Sequence, residues 1–144
     1  MSRFMRLALK TGMLDGNPNR ATIGVTTTGA ETLTIAALTV ATGQTAVVQW
    51  GDGLSDTYTG AGARTHNYAA EGVYSVILTP ASAITVLTLS DDKMTVNSVS
   101  LRAMVNMVTF QANSVKGGTF NSSDVSAWRP TTFYLYSIDR KSVV

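Results

Sequence analysis

The chain has 144 residues, 44% of them hydrophobic and 14% charged, with a net charge of +2. That is one ordinary domain or two very small ones, and disorder is excluded because disordered chains are rich in charge and poor in apolar residues. The absence of Cys excludes disulfides, thiolate metal sites and a Cys nucleophile; the single His excludes a multi-His metal site within one subunit; the small net charge gives no nucleic-acid footprint.

In chain order, residues 1–20 read as an N-terminal strand or arm. Phe4 to Lys10 alternates in the manner of a short strand, and Gly12 to Asn19 is a turn-rich connector. Arg3 and Arg6 look like the start of a signal peptide, but Lys10, Asp15, Asn17 and Asn19 interrupt any apolar run, so none is expected. No stretch of 18 apolar residues follows, so no membrane insertion is expected. Thr is abundant, with 21 copies, and Val is frequent, which favours strands over helices. Strands are expected over Thr22–Thr28, Glu31–Val40 with Leu33, Ile35 and Leu38 buried, Gln44–Trp50, Thr57–Tyr58 and Val73–Thr79. The turns between them carry Gly29, Gly43, Gly51-Asp52-Gly53 and Gly60-Ala61-Gly62, the last read as a hairpin turn. Short strands with regular Gly turns predict an all-β sandwich over residues 21–82.

After Pro80 the texture changes. Ile84-Thr-Val-Leu87-Thr-Leu89-Ser-Asp-Asp92-Lys-Met94 returns as Val105-Asn-Met-Val108-Thr-Phe110-Gln-Ala-Asn113-Ser-Val115, and more weakly as Pro130-Thr-Thr-Phe133-Tyr-Leu135-Tyr-Ser-Ile138. Aligned on Leu87, Val108 and Phe133, the copies are 21 and 25 residues apart, which predicts a short β-solenoid over residues 83–144. Val143-Val144 follows the third copy closely. A stack without a polar cap exposes a strand edge, so a second subunit or further chain is expected to cover it.

The segment Val47-Val-Gln-Trp50-Gly51-Asp52-Gly53, with His66-Asn-Tyr68-Ala-Ala-Glu-Gly72-Val-Tyr74-Ser-Val76 after it, resembles the PKD domain family, whose members carry a W-G-D-G turn and an H-x-Y-x-x-x-G-x-Y-x-V signature. The resemblance covers residues 21–82 and implies an immunoglobulin-like β-sandwich. The sequence departs from that signature at Asn67, between His66 and Tyr68, and at Glu71, before Gly72, both departures that a surface turn tolerates. The later copies resemble leucine-rich repeats of the L-x-x-L-x-L-x-x-N-x-L kind, with Asn113 at the Asn position, Asp92 there in the first copy and Ile138 in the third. The physics of the signature is legible by itself. Trp50 is apt to cap a sandwich core, Gly51 and Gly53 permit positive φ, and Asp52 can accept from turn N–H groups. Tyr68 ahead of the Gly72 turn fits a tyrosine corner. Tyr74 and Val76 are expected on one face of their strand, with Val73, Ser75 and Ile77 on the other.

Candidate chemistry is sparse. Asp52 with Asp56 is a candidate Ca²⁺ site, although two acids fall short of the usual 6–8 oxygen ligands. His66 is a candidate general base that Asp52 or Asp56 would orient, yet no nucleophile motif accompanies it, and the resemblance makes His66 part of the fold signature. No metal, cofactor or catalytic residue is therefore assigned. Tyr134 and Tyr136, alternating with Phe133 and Leu135, are a candidate binding surface for a sugar or a protein, with Trp128 and Arg129 beside them. The whole resembles surface and fibre proteins of bacteria and of their phages. That resemblance implies a non-enzymatic structural and interaction protein of a virion (a decoration, fibre or tail-associated protein) that forms a homo-oligomer or joins a larger assembly. The alternative is a bacterial surface adhesin or carbohydrate-binding accessory domain, with a cell-surface glycan as partner.

Overall fold

The computed structural model describes residues 19–136. The arm expected over residues 1–20 lies outside them apart from Asn19 and Arg20. Among the described residues the chain is all-β, with ten strands in two five-stranded sheets and three short 3₁₀ turns. No helix there is long and apolar enough to cross a membrane.

The strands are β1 (Ala21–Thr27), β2 (Glu31–Val40), β3 (Ala46–Gln49), β4 (Ser55–Tyr58), β5 (Ala61–Tyr68), β6 (Gly72–Thr79), β7 (Ile84–Leu89), β8 (Met94–Thr95), β9 (Thr109–Asn113) and β10 (Thr132–Tyr136). One sheet runs β4-β3-β6-β1-β8 and the other β10-β9-β7-β2-β5. Period-two alternation decides which side of each strand is closed off. Ile23 and Val25 of β1, Leu33, Ile35 and Leu38 of β2, and Val76 and Leu78 of β6 are all buried in one core. On β6 Val73 and Ser75 face outward, opposite Tyr74 and Val76. The β1–β6 pairing is antiparallel and uninterrupted from Ala21↔Leu78 to Thr27↔Gly72. In β2 a bulge between Ile35 and Leu38 resets the side-chain phase, so that Ile35 and Leu38 both point inward.

Two local expectations are corrected: Gly60-Ala61-Gly62 is not a hairpin turn, because β4 and β5 lie in different sheets, and Ala61–Tyr68, where the sequence predicts no strand, is one. It is poor in strand-forming residues, and it is held extended by pairing with β2 from Glu31↔Tyr68 to Thr39↔Ala61. Gly60, at φ +67°, therefore turns the chain from β4 in one sheet to β5 in the other. Arg64 fastens this corner: Nη2 donates to the carbonyls of Leu38, Thr59 and Gly60, and the guanidinium lies 4.3 Å from the Tyr58 ring centroid.

Beyond Pro80 the pairing changes sense. A 3₁₀ turn at Ala81–Ala83 leads into β7, and Asn19 fixes it: its Oδ1 accepts from Ser82 N–H and its backbone oxygen from Ala81 N–H. Strand β7 pairs antiparallel with β2 and parallel with β9, and β9 pairs parallel with β10. Residues 21–82 and 83–136 are thus hydrogen-bonded within one sheet through β2 and β7, and β8 extends the other sheet beside β1. The register corrects the alignment read from the sequence. Leu87 sits beside Phe110, and Phe110 beside Phe133, a step of 23 residues each time. Val108 is not the partner of Leu87; Val105 and Val108 are both 44% exposed, while Met104, Met107, Phe110 and Ala112 are buried.

The return side of the stack repeats at a similar step. Val96 N–H donates to Gly117 O, and Ser98 N–H to Thr119 O. Asn97 and Asn121 each precede a 3₁₀ turn, at Ser98–Ser100 and Ser122–Val125. Gly118 permits this approach. It has φ +132°, and a Cβ there would lie 1.9 Å from Val96 O. Ile138, expected in the third copy, lies outside the described residues.

Candidate functional site

The residues of the W-G-D-G and H-x-Y segments converge. Trp50 directly follows β3, His66 and Tyr68 lie on β5, and Tyr74 lies on β6. Their rings form a column. Trp50 and His66 stack at 4.7 Å and 3°, His66 meets Tyr68 edge-on at 4.7 Å, and Tyr68 stacks on Tyr74 at 4.4 Å. Gly51 permits the turn, with φ +93° and a Cβ position 2.7 Å from Ser75 O. Gly72 lies against the Tyr74 ring, where a Cβ would meet ring atoms at 3.1 Å.

Each ring of this column makes a hydrogen bond within the molecule. His66 Nε2 donates to Asp52 Oδ2 at 2.7 Å, and Asp52 Oδ1 accepts from Leu54 N–H. Trp50 Nε1 donates to Asp56 Oδ2 at 2.8 Å. Tyr68 donates its hydroxyl proton to Trp50 O at 2.7 Å, and Tyr74 to Ala70 O at 3.0 Å. The hydroxyl of Tyr68 thus returns to the backbone, at Trp50 directly after β3. Desolvation alone would raise the pKa of Asp52; the bonds from His66 and Leu54 outweigh it, and the carboxyl ends below its ordinary value. Burial, with Asp52 and Tyr74 nearby, pushes the Tyr68 phenol up. An ionised Asp52 can only accept, so it fixes the proton of His66 on Nε2.

Asp52 and Asp56, the candidate Ca²⁺ pair, thus accept from separate donors. Among the described residues no group of three or more His, Cys, Asp or Glu side chains could hold a metal ion. The Asn-position role expected of Asp92 falls to its neighbour. Asp92 is 88% exposed at its side chain, while Asp91 accepts from Thr34 N–H and Lys93 N–H and pairs with Lys93 Nζ at 3.0 Å. Desolvation opposes ionisation of Asp91, and the bonds from Thr34 and Lys93 outweigh it, so its pKa is lowered. At the Asn position of the second copy, the Asn113 Oδ1 is enclosed without a hydrogen-bond partner among the described residues.

The candidate binding residues separate. Trp128 is 4% exposed and packs with Phe110 and Phe133, so it belongs to the core and not to the surface. Arg129 is exposed, and its Nη1 donates to Ser126 O and Trp128 O. Tyr134 is 46% exposed on the outer side of β10. Tyr136 pairs with Asn113 through its backbone, and its side chain lies outside what the structure describes. The register brings two further residues into line with Tyr134. Gln111 pairs with it, and Thr88 pairs with Gln111. Reading the copies 21 and 25 residues apart hid this row; the spacing of 23 that separates Thr88, Gln111 and Tyr134 is the signal that would have found it. No family model, curated protein or solved structure matches this chain.

Proposed function

We propose that the chain is a non-enzymatic structural and interaction protein of a virion, a decoration, fibre or tail-associated component that works through protein–protein contacts. In this reading residues 21–82 are a PKD-like immunoglobulin-like sandwich and residues 83–144 a short leucine-rich-repeat-like stack carried on it. The aromatic column and the parallel 23-residue step support that assignment. The polar groups of the W-G-D-G and H-x-Y segments bond one another, which favours a scaffold over a reaction centre.

One observation carries the assembly role. Among the described residues strand β10 is the last strand of its sheet, and Phe133 is 38% exposed although its ring packs on Phe110, Phe120 and Trp128. An edge strand with part of the core open beside it is a template for pairing. Light scattering on the purified chain, with and without EDTA, tests the reading. A defined oligomer that survives EDTA supports a protein assembled through strand edges. A dilute monomer counts against it and favours a surface-adhesin domain. A mass that falls with EDTA points to a metal at Asp52 and Asp56.

A further inference from the structure

We infer that the outer face of the sheet β10-β9-β7-β2 is a binding site for a neutral polysaccharide. Two rows cross these strands. One is Tyr134–Gln111–Thr88, continued by Ala37; the other is Thr132–Thr109–Val86, continued by Thr39. No Asp, Glu, Lys or Arg stands in either row. The nearest charges in sequence stand off the ends of these strands: Asp91, Asp92 and Lys93 beyond the end of β7, and Arg129 ahead of β10. Surfaces that meet solvent without function are ordinarily studded with charge, above all near a sheet edge.

The chemistry of the rows selects the ligand. The Gln111 amide and the hydroxyls of Thr88, Thr109 and Thr132 make no side-chain hydrogen bond among the described residues. Each can both donate and accept, as a sugar hydroxyl does. Tyr134, 46% exposed, offers an aromatic face at one end for the C–H face of a pyranose. Nucleic acid or an anionic glycan would need Lys or Arg here, and among the described residues neither row carries one. A protein partner would need several apolar or Arg anchors, and Tyr134 is the sole large one here. With strands about 4.8 Å apart, the rows span roughly 14 Å from β10 to β2, room for a few sugar units along the row. The site does not depend on the chain being a virion component.

Isothermal titration of the whole chain with soluble xylan, galactomannan, mixed-linkage glucan and dextran, with alginate as polyanionic control, tests it. At least one neutral polymer is expected to bind, with affinity unchanged by added salt. Tyr134→Ala, Gln111→Ala and Thr88→Lys should each weaken binding at least tenfold while the thermal midpoint stays near the parent's. Val73→Lys, on the outer side of the opposite sheet, should leave it unchanged. Failure of all four neutral polymers overturns the assignment, as does binding to alginate alone. Binding that all three row variants leave intact does so as well. A self-association that Thr88→Lys abolishes, without glycan binding, would assign the face to a second copy instead.

Discussion

Tyr68 gives its hydroxyl proton to the carbonyl oxygen of Trp50, 2.7 Å away, and both side chains are closed off from solvent. The bond links β5 of one sheet to the end of β3 in the other. Tyr68→Phe keeps the ring on Tyr74 but strands a buried carbonyl. The expected loss is about 1–3 kcal/mol of unfolding free energy, with the fold retained. Urea denaturation measures it; a loss below about 0.5 kcal/mol would mean that the Trp50 carbonyl finds another donor.

The glycines divide by what surrounds them. At Gly118 a Cβ would lie 1.9 Å from Val96 O, a backbone atom that cannot swing aside. Gly118→Ala should therefore separate the Val96–Gly117 contact and cost roughly 3 kcal/mol or more. Gly43, at φ +82°, has nothing within 4 Å of a Cβ position. Gly43→Ala meets only the left-handed backbone penalty, about 1–2 kcal/mol. Thermal midpoints of the two variants should differ clearly in that order, and equal losses would contradict the close approach at Gly118.

Acid should weaken the protein through Asp52 and Asp91. Both carboxyls are lowered in the folded state, so folding favours their ionised forms. Their contribution is complete above the unfolded carboxylate value, about pH 4, and is lost as pH falls through the lowered folded values. Lys93 is raised, chiefly by its bond to Asp91, so its share is complete below the ordinary lysine value and fades only as pH rises through the folded one. The Asp91–Lys93 pair is thus intact through neutrality. Asp52→Asn and Asp91→Asn should each flatten the fall in stability between about pH 5 and pH 2, with the double variant flatter still. Thermal melts across that range decide it. A parent slope preserved in both variants would show that other carboxylates dominate.

The antiparallel half was largely legible, because β-branched residues at period two mark β1, β2, β3 and β6 and Gly marks the turns between them. The bonds of Asp52 to a turn N–H and of Tyr68 to the backbone were foreseeable in kind; that of Trp50 to Asp56 was not. The partner of Tyr68 was not, since it depends on which sheet β5 joins. Strand β5 itself was missed because Ala61-Gly-Ala-Arg-Thr-His has little intrinsic reason to be extended; β2 imposes it. Trp128 illustrates another limit. A Trp next to an Arg reads as surface or core with only a slight lean to burial, and the Phe110 and Phe133 rings that enclose it come from two other coils.

The register of the parallel ladder was the remaining error, and it gives the sharpest test. Val108-Thr-Phe110-Gln-Ala112 alternates throughout, so a slip of two residues leaves every side chain on its own face. Periodicity alone cannot choose between Val108 and Phe110 as the partner of Leu87. The coil length chooses, because Val108 N–H bonds Thr85 O before β9 begins, which places Phe110 beside Leu87. Phe110 is fully buried against Phe120, Trp128 and Phe133, whereas Val108 is 44% exposed. Phe110→Ala should cost about 3–5 kcal/mol by emptying the centre of that cluster. Val108→Ala should stay within about 0.5 kcal/mol of the parent, as exposed substitutions do. Chemical denaturation of the two variants separates the alternatives. A Val108→Ala loss as large as that of Phe110→Ala would restore the 21-residue alignment, and with it the loss of the row that joins Thr88, Gln111 and Tyr134.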